Sequence, residues 1–92
     1  MIVRISGEGQ YDVSDEQRER LNELDNQAVA AVEAGDRERF EQIWKQMLDL
    51  VTNECHPLPD DELVGSDVIL PPRDTTFDEA GADFTGDGLI PD

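Results

Sequence analysis

Residues 14–51, SDEQRERLNELDNQAVAAVEAGDRERFEQIWKQMLDLV, decide the fold of this chain, because two helix-capping signals and two apolar stripes fall within them. Ser14 stands where a helix cap belongs, and Gln17 three residues on completes a capping box. Asp15 and Glu16 follow at the positive end of the helix dipole. Leu21, Leu24, Ala28, Ala31 and Val32 then recur at helical spacing up to Gly35, a residue suited to the left-handed turn that ends a helix. Asp36 caps a second helix at once, in which Phe40, Ile43, Trp44, Met47, Leu48 and Val51 form a continuous stripe with a period of about 3.6. So short a connection predicts an antiparallel helical hairpin, with the Trp44 face against the Leu24 face, closed by Pro57 and Pro59.

Outward from the hairpin, Ile2, Val3 and Ile5 form a β-branched run ending at Gly7-Glu8-Gly9, and Tyr11 and Val13 alternate with polar neighbours, which reads as a short β-hairpin. Val68-Ile69-Leu70, cut off by Pro71-Pro72, offers a third strand that would pair economically with Ile2–Ile5. Asp74 and the following Thr75-Thr76-Phe77-Asp78-Glu79 look like the capped start of a brief helix that Gly81 and Gly86 do not extend. The expected fold class is α+β: a two-helix hairpin on a small two- or three-stranded sheet, with a loosely ordered acidic C-terminal segment for which Leu89-Ile90 is the candidate anchor. The 92 residues allow one domain, 1–92, since a chain this short buries only roughly 60–65% of its unfolded surface and has nothing left for a second core.

The charge narrows the function classes. Twenty-three acidic residues against 7 basic ones give a formal net charge of -16, and self-repulsion of that size weakens a compact state unless counterions screen it. Asp outnumbers Glu, and Lys45 is the only lysine beside six arginines. That pattern resembles cytosolic proteins of salt-accumulating microbes, a merely acidic mesophile protein being the alternative. So negative a surface is repelled by phosphate backbones and anionic lipid headgroups, which argues against direct binding of nucleic acid or membrane. Cys55 is the only cysteine, so no internal disulfide forms and a reducing cytoplasm is the expected location. The N-terminal Met1–Ile5 run is too short for a signal peptide, and no later stretch approaches a transmembrane span.

No constellation in the sequence argues for catalysis. Carboxylate pairs such as Asp60-Asp61 are inevitable at this acidity and need a cleft to become an acid–base dyad. Cys55 and His56 are adjacent and point apart, and His56 falls near the negative end of the second helix. Asp83-Phe84-Thr85-Gly86-Asp87-Gly88-Leu89-Ile90 matches the first half of a calcium loop, but the bidentate glutamate that completes such a loop would lie beyond Asp92. Gly7-Glu8-Gly9 lacks the third glycine of a phosphate-binding loop and places a carboxylate where the anion would sit. The expectation is therefore no enzyme, no cofactor and no metal site.

Several blocks together carry a family resemblance: Met1-Ile2-Val3-Arg4-Ile5-Ser6-Gly7-Glu8-Gly9-Gln10-Tyr11, Leu21-Asn22-Glu23-Leu24-Asp25, Ala30-Ala31-Val32-Glu33-Ala34-Gly35-Asp36, Pro57-Leu58-Pro59-Asp60-Asp61-Glu62-Leu63, Ser66-Asp67-Val68-Ile69-Leu70-Pro71-Pro72 and Gly88-Leu89-Ile90-Pro91. In this order they resemble the PspA-associated protein family, PspAA. The chain departs from it between the Pro-Pro segment and the final Gly-Leu-Ile-Pro, where Ala80-Gly81-Ala82-Asp83-Phe84-Thr85-Gly86 interrupts a longer helix. The resemblance implies a non-enzymatic accessory of the envelope-stress response that associates with PspA, an ESCRT-III-like coiled-coil protein. It would be cytoplasmic, peripheral to the inner face of the membrane through that partner alone, with a homodimer possible through an exposed strand edge. It brings no catalytic residues. The positions it marks for partner contact are Gly7, Glu8, Gly9, Tyr11, Pro57, Leu58, Pro59, Asp60, Asp61 and Leu63. The competing reading is an acidic decoy that mimics nucleic acid and occupies a basic DNA-binding protein.

Overall fold

The computed structural model describes residues 1–59, 65–84 and 88–90. Two strands, β1 (Ile2–Ile5) and β2 (Gly9–Asp12), lead into α1 (Asp15–Ala34) and α2 (Arg37–Asp49); a wider π-type turn (Leu50–Glu54) ends α2. Then come β3 (His56–Pro57), β4 (Val68–Leu70) and the one-turn α3 (Phe77–Ala80). The helix boundaries follow from their caps. Ser14 Oγ accepts from the Gln17 N–H at 3.2 Å while Gln17 Oε1 accepts from the Ser14 N–H at 3.0 Å, so two amides that the helix cannot satisfy are paired. Gly35 ends α1 at φ 71°, a conformation that costs a side-chain-bearing residue and that glycine adopts freely. Asp36 accepts from the Arg39 N–H at 3.1 Å and starts α2 on the next residue.

The sheet has the order β3-β2-β1-β4, with β1 antiparallel to β2 and parallel to β4. The third strand expected from Val68-Ile69-Leu70 is there, registered Val3 to Val68 and Ile5 to Leu70. Among the described residues the sheet nevertheless holds four strands where two or three were expected. The extra one is β3, in which Pro57 lies opposite Tyr11 and His56 opposite Asp12. Proline holds its own φ near the extended range and disfavours the helical region for the residue before it, and at a sheet edge its missing N–H leaves no ladder bond unmade. His56 is thus a strand residue, and a π-type turn closes α2 before the prolines are reached.

Alternation along the strands sorts the sheet into two faces. Val3, Ile5, Val68 and Leu70 are buried, whereas Arg4 and Ile69 between them are exposed. The buried face shares one apolar core with Leu21 and Ala28 of α1 and with Phe40, Ile43, Met47 and Leu48 of α2.

The expected loose C-terminal segment is, over its described residues, tied down. Ala80, Phe84 and Ile90 are all at most 1% exposed. Phe84 meets Phe40 at 5.3 Å and Trp44 at 5.7 Å between ring centroids, both edge to face, and Phe77 meets Phe40 at 5.9 Å. Thr76, not Asp74, caps α3, with Glu79 completing a second capping box. Glycines and acids make this segment look loose in sequence, but burial of Phe84 and half-burial of Phe77 outweigh its poor helix propensity.

The polar anchor is Asp25. Its carboxylate is fully buried and accepts from the Leu89 N–H (3.1 and 3.0 Å to its two oxygens) and from the Ile90 N–H (3.0 Å). Gly88 turns the chain at φ 78°, and a β-carbon there would come within 2.8 Å of Asp25 Cγ, so conformation and space both demand glycine. Consecutive amides turned toward one carboxylate form an anion-holding concavity filled from within the chain. Among the described residues, no helix is long and apolar enough to cross a membrane.

Candidate functional site

Several of the residues marked for partner contact come together at one sheet edge, although they lie some fifty residues apart in the chain. Gly7, Glu8 and Gly9 make the turn between β1 and β2, where the Glu8 N–H donates to the Ile5 carbonyl at 2.9 Å. Tyr11, half-buried against the core, sits opposite Pro57 across the β2–β3 ladder, and the Leu58 N–H extends that ladder to the Gln10 carbonyl at 3.0 Å. Pro57 and Pro59 are exposed and Leu58 is half-buried. Asp60, Asp61 and Leu63 lie outside the described residues, as do Thr85, Gly86 and Asp87 of the calcium-like segment. Gly9, Tyr11, Pro57 and Leu58 therefore share one edge of the sheet, with a proline-blocked strand as its rim.

The turn is held from a second direction. Arg73 donates to the Glu8 carboxylate through Nε (3.1 Å to Oε2) and Nη2 (3.0 Å to Oε1), a two-pronged pair across 65 positions. Donating these hydrogen bonds to Glu8 raises the Arg73 guanidinium further above its already high range. Glu8 is thus spoken for within the chain. Reaching it as a free partner contact requires displacing Arg73.

Arg73 also opens a second feature. Its carbonyl accepts from Trp44 Nε1 at 3.3 Å, and this links the 73–76 turn to α2 over a groove of about 440 Å³. Trp44 and Leu48 form its floor, Arg37, Glu41 and Lys45 its α2 rim, and Arg73 to Thr76 the opposite wall. In sequence, the Trp44 and Phe40 stripe reads as core or as a groove for a partner helix, because an apolar helical stripe looks the same whether or not a neighbouring loop leaves a cleft beside it. Asp25, also overlooked, did leave a signal: it lies four residues after Leu21 and three before Ala28, a carboxylate on the buried stripe of α1.

On the opposite side of the hairpin, Arg20 grips Glu54 with two nitrogens (2.8 and 3.2 Å) and holds that carboxyl below the usual carboxylate range. Gln17 Nε2 donates to the Glu54 carbonyl at 2.7 Å, so the end of the π-type turn is bound to the start of α1. Among the described residues, no group of three or more His, Cys, Asp or Glu is placed to hold a metal ion.

Cys55 is buried, and burial first, then the neighbouring Glu54 charge, pushes its thiol above the usual range. The folded state thus favours the neutral thiol. Its contribution to stability is complete below the unfolded thiol value, roughly 8.5, and is lost as pH rises through the higher folded value. Iodoacetamide at pH near 8 is expected to label Cys55 much more slowly in the native chain than in urea, as followed by mass spectrometry. Equal rates would mean that the site is open.

Compared with known proteins, the whole chain, residues 1–92, matches the model of one family, described as PspAA, PspA-associated protein. Searches of the curated proteins and of the solved structures found no match.

Proposed function

Because this chain belongs to the PspA-associated protein family, we propose that it is a non-enzymatic accessory that binds a PspA-like, ESCRT-III-type coiled-coil protein and modulates the envelope-stress response. The match over residues 1–92 is the observation that carries the reading. Local geometry is compatible with it: among the described residues, Gly9, Tyr11, Pro57 and Leu58 lie along one edge of the sheet, where a partner chain can reach them. The chain acts in the cytoplasm and reaches the membrane only through its partner. Its acidity keeps the surface hydrated in concentrated salt and keeps nucleic acid and anionic lipid away.

The test is a pulldown with the full chain as bait in molar salt, followed by mass spectrometry. Retention of a PspA-like coiled-coil protein is expected, and Leu58→Asp, which places a charge on the shared edge, is expected to reduce it by about tenfold or more. Repeated absence of that protein would overturn the reading. Enrichment of DNA-binding proteins in its place would establish the acidic decoy.

A further inference from the structure

Charge is unevenly spread along this chain. Helix α2 carries Arg37, Arg39 and Lys45 against Glu38, Glu41 and Asp49, so the whole formal charge of -16 falls on the remaining residues. A partner bearing acidic groups is repelled by most of the surface and is least opposed along α2. The groove runs beside this neutral helix. Its α2 rim reads Arg37, Glu41, Lys45, a positive, negative, positive rail at four-residue spacing, one helical turn per charge. Lys45 is exposed and makes no ion pair with any of the described residues; Arg37 lies over the Phe77 ring at 5.4 Å and meets Asp78 at 3.5 Å, with the Arg37 and Asp78 side chains mostly in solvent. The rail therefore has charge to offer.

We propose that this groove docks an amphipathic helix of a partner protein whose own rail is acidic, basic, acidic at the same four-residue spacing. Its small apolar side chains lie on the floor formed by Trp44 and Leu48. Rails of this kind select partners in paired helices because each matched position attracts and each mismatched one repels. The pattern reads the same in both directions, so it sets register without setting orientation. The inference deepens the proposed coiled-coil partnership by assigning that partner's helix a seat, and it rests on the partner being helical.

Salt dependence separates this docking from non-specific attraction. Near 0.15 M salt the screening length is about 8 Å, so the field of the whole chain opposes an acid-rich peptide; near 1 M it is about 3 Å, and contact pairs outlast the long-range repulsion. Trp44 is the only tryptophan and reports on the groove directly. The probes are two synthetic helical peptides of equal apolar content, one with the acidic, basic, acidic rail and a twin with the signs inverted. Each is titrated into the full chain while Trp44 emission is followed. The matched peptide is expected to change the emission, to bind as well or better at about 1 M as at about 0.15 M, and to exceed the twin about tenfold at the higher salt. Lys45→Glu and the milder Lys45→Gln, both with helix content checked by circular dichroism, are expected to weaken it, the first more than the second. Tighter binding of the twin at about 1 M, or no effect of either peptide on Trp44, would overturn the proposal. In the pulldown, a wild-type chain that retains the coiled-coil protein and a Lys45→Glu chain that retains it equally would sink the groove and leave the partnership standing. A wild-type chain that retains none would sink the partnership, and the peptide titration would still decide what the groove takes.

Discussion

Asp25→Ala is expected to destabilise the chain by about 3 kcal/mol, because it strips the Leu89 and Ile90 amides of the carboxylate they share and leaves them facing a void. Hydrogen bonds to a charged acceptor contribute about 1.5–3 kcal/mol each, and buried donors left unpaired cost about 1–3 kcal/mol, though neither sum adds fully. In a domain whose total stability is about 5–15 kcal/mol, the loss lowers the melting temperature by on the order of 15 °C. Thermal unfolding in molar salt, read by circular dichroism, measures it. Asp25→Asn keeps the shape and one accepting oxygen but turns an NH2 group toward amide donors, so it should fall between the two. A loss below about 1 kcal/mol for the alanine variant would mean that the C-terminal segment holds without its polar anchor. Gly88→Ala attacks the same contact from the other side, through a strained φ and a β-carbon driven into the carboxylate.

Phe84→Ala is expected to cost about 4 kcal/mol, in the range for emptying a fully buried aromatic site. The ring fills the space between Phe40 and Trp44, and its removal takes away two edge-to-face contacts along with the apolar area. Trp44 supplies a second readout. It is 5% exposed beside Phe84, so its emission should shift to the red if the segment lifts and admits water. Urea unfolding gives the first number and fluorescence of the folded variant the second. A stability loss without a red shift would indicate that neighbouring side chains collapse into the gap, and an unchanged midpoint would contradict the packing itself. Because Asp25 and Phe84 hold one segment at two points, the double variant should lose less than the sum of the two.

These two anchors also bear on function. The segment they secure places Phe77 against Phe40 and sets Asp78 beside Arg37, at the Arg37 end of the groove. A variant with a loosened segment should therefore lose discrimination between the two peptide probes, whereas Leu58→Asp at the sheet edge should leave that discrimination intact. The two surfaces can be separated in this way even though Arg73 touches both.

What was legible in the sequence is what a few neighbouring residues decide. Both helix starts and the glycine stop between them depend on interactions spanning at most five residues, and Ser14, Gln17, Gly35 and Asp36 announce them without help from the rest of the chain. The α2 stripe marked a buried face, whereas Leu24 and Val32 of the α1 stripe are only half-buried; the ordered blocks marked the family, whose model matches residues 1–92. What the tertiary structure alone decided involves pairs far apart in the chain. Pro57 beside Tyr11, Arg73 on Glu8, Phe84 between Phe40 and Trp44, and Asp25 beneath Leu89 and Ile90 each join residues about 40 or more positions apart, and no local propensity predicts which of many carboxylates or phenylalanines meets which partner. Only closure of the core chooses among them: the acidic residues are nearly alike in sequence, and among the described ones burial on the helix stripe singles out Asp25, which turns a glycine-rich tail into part of the fold.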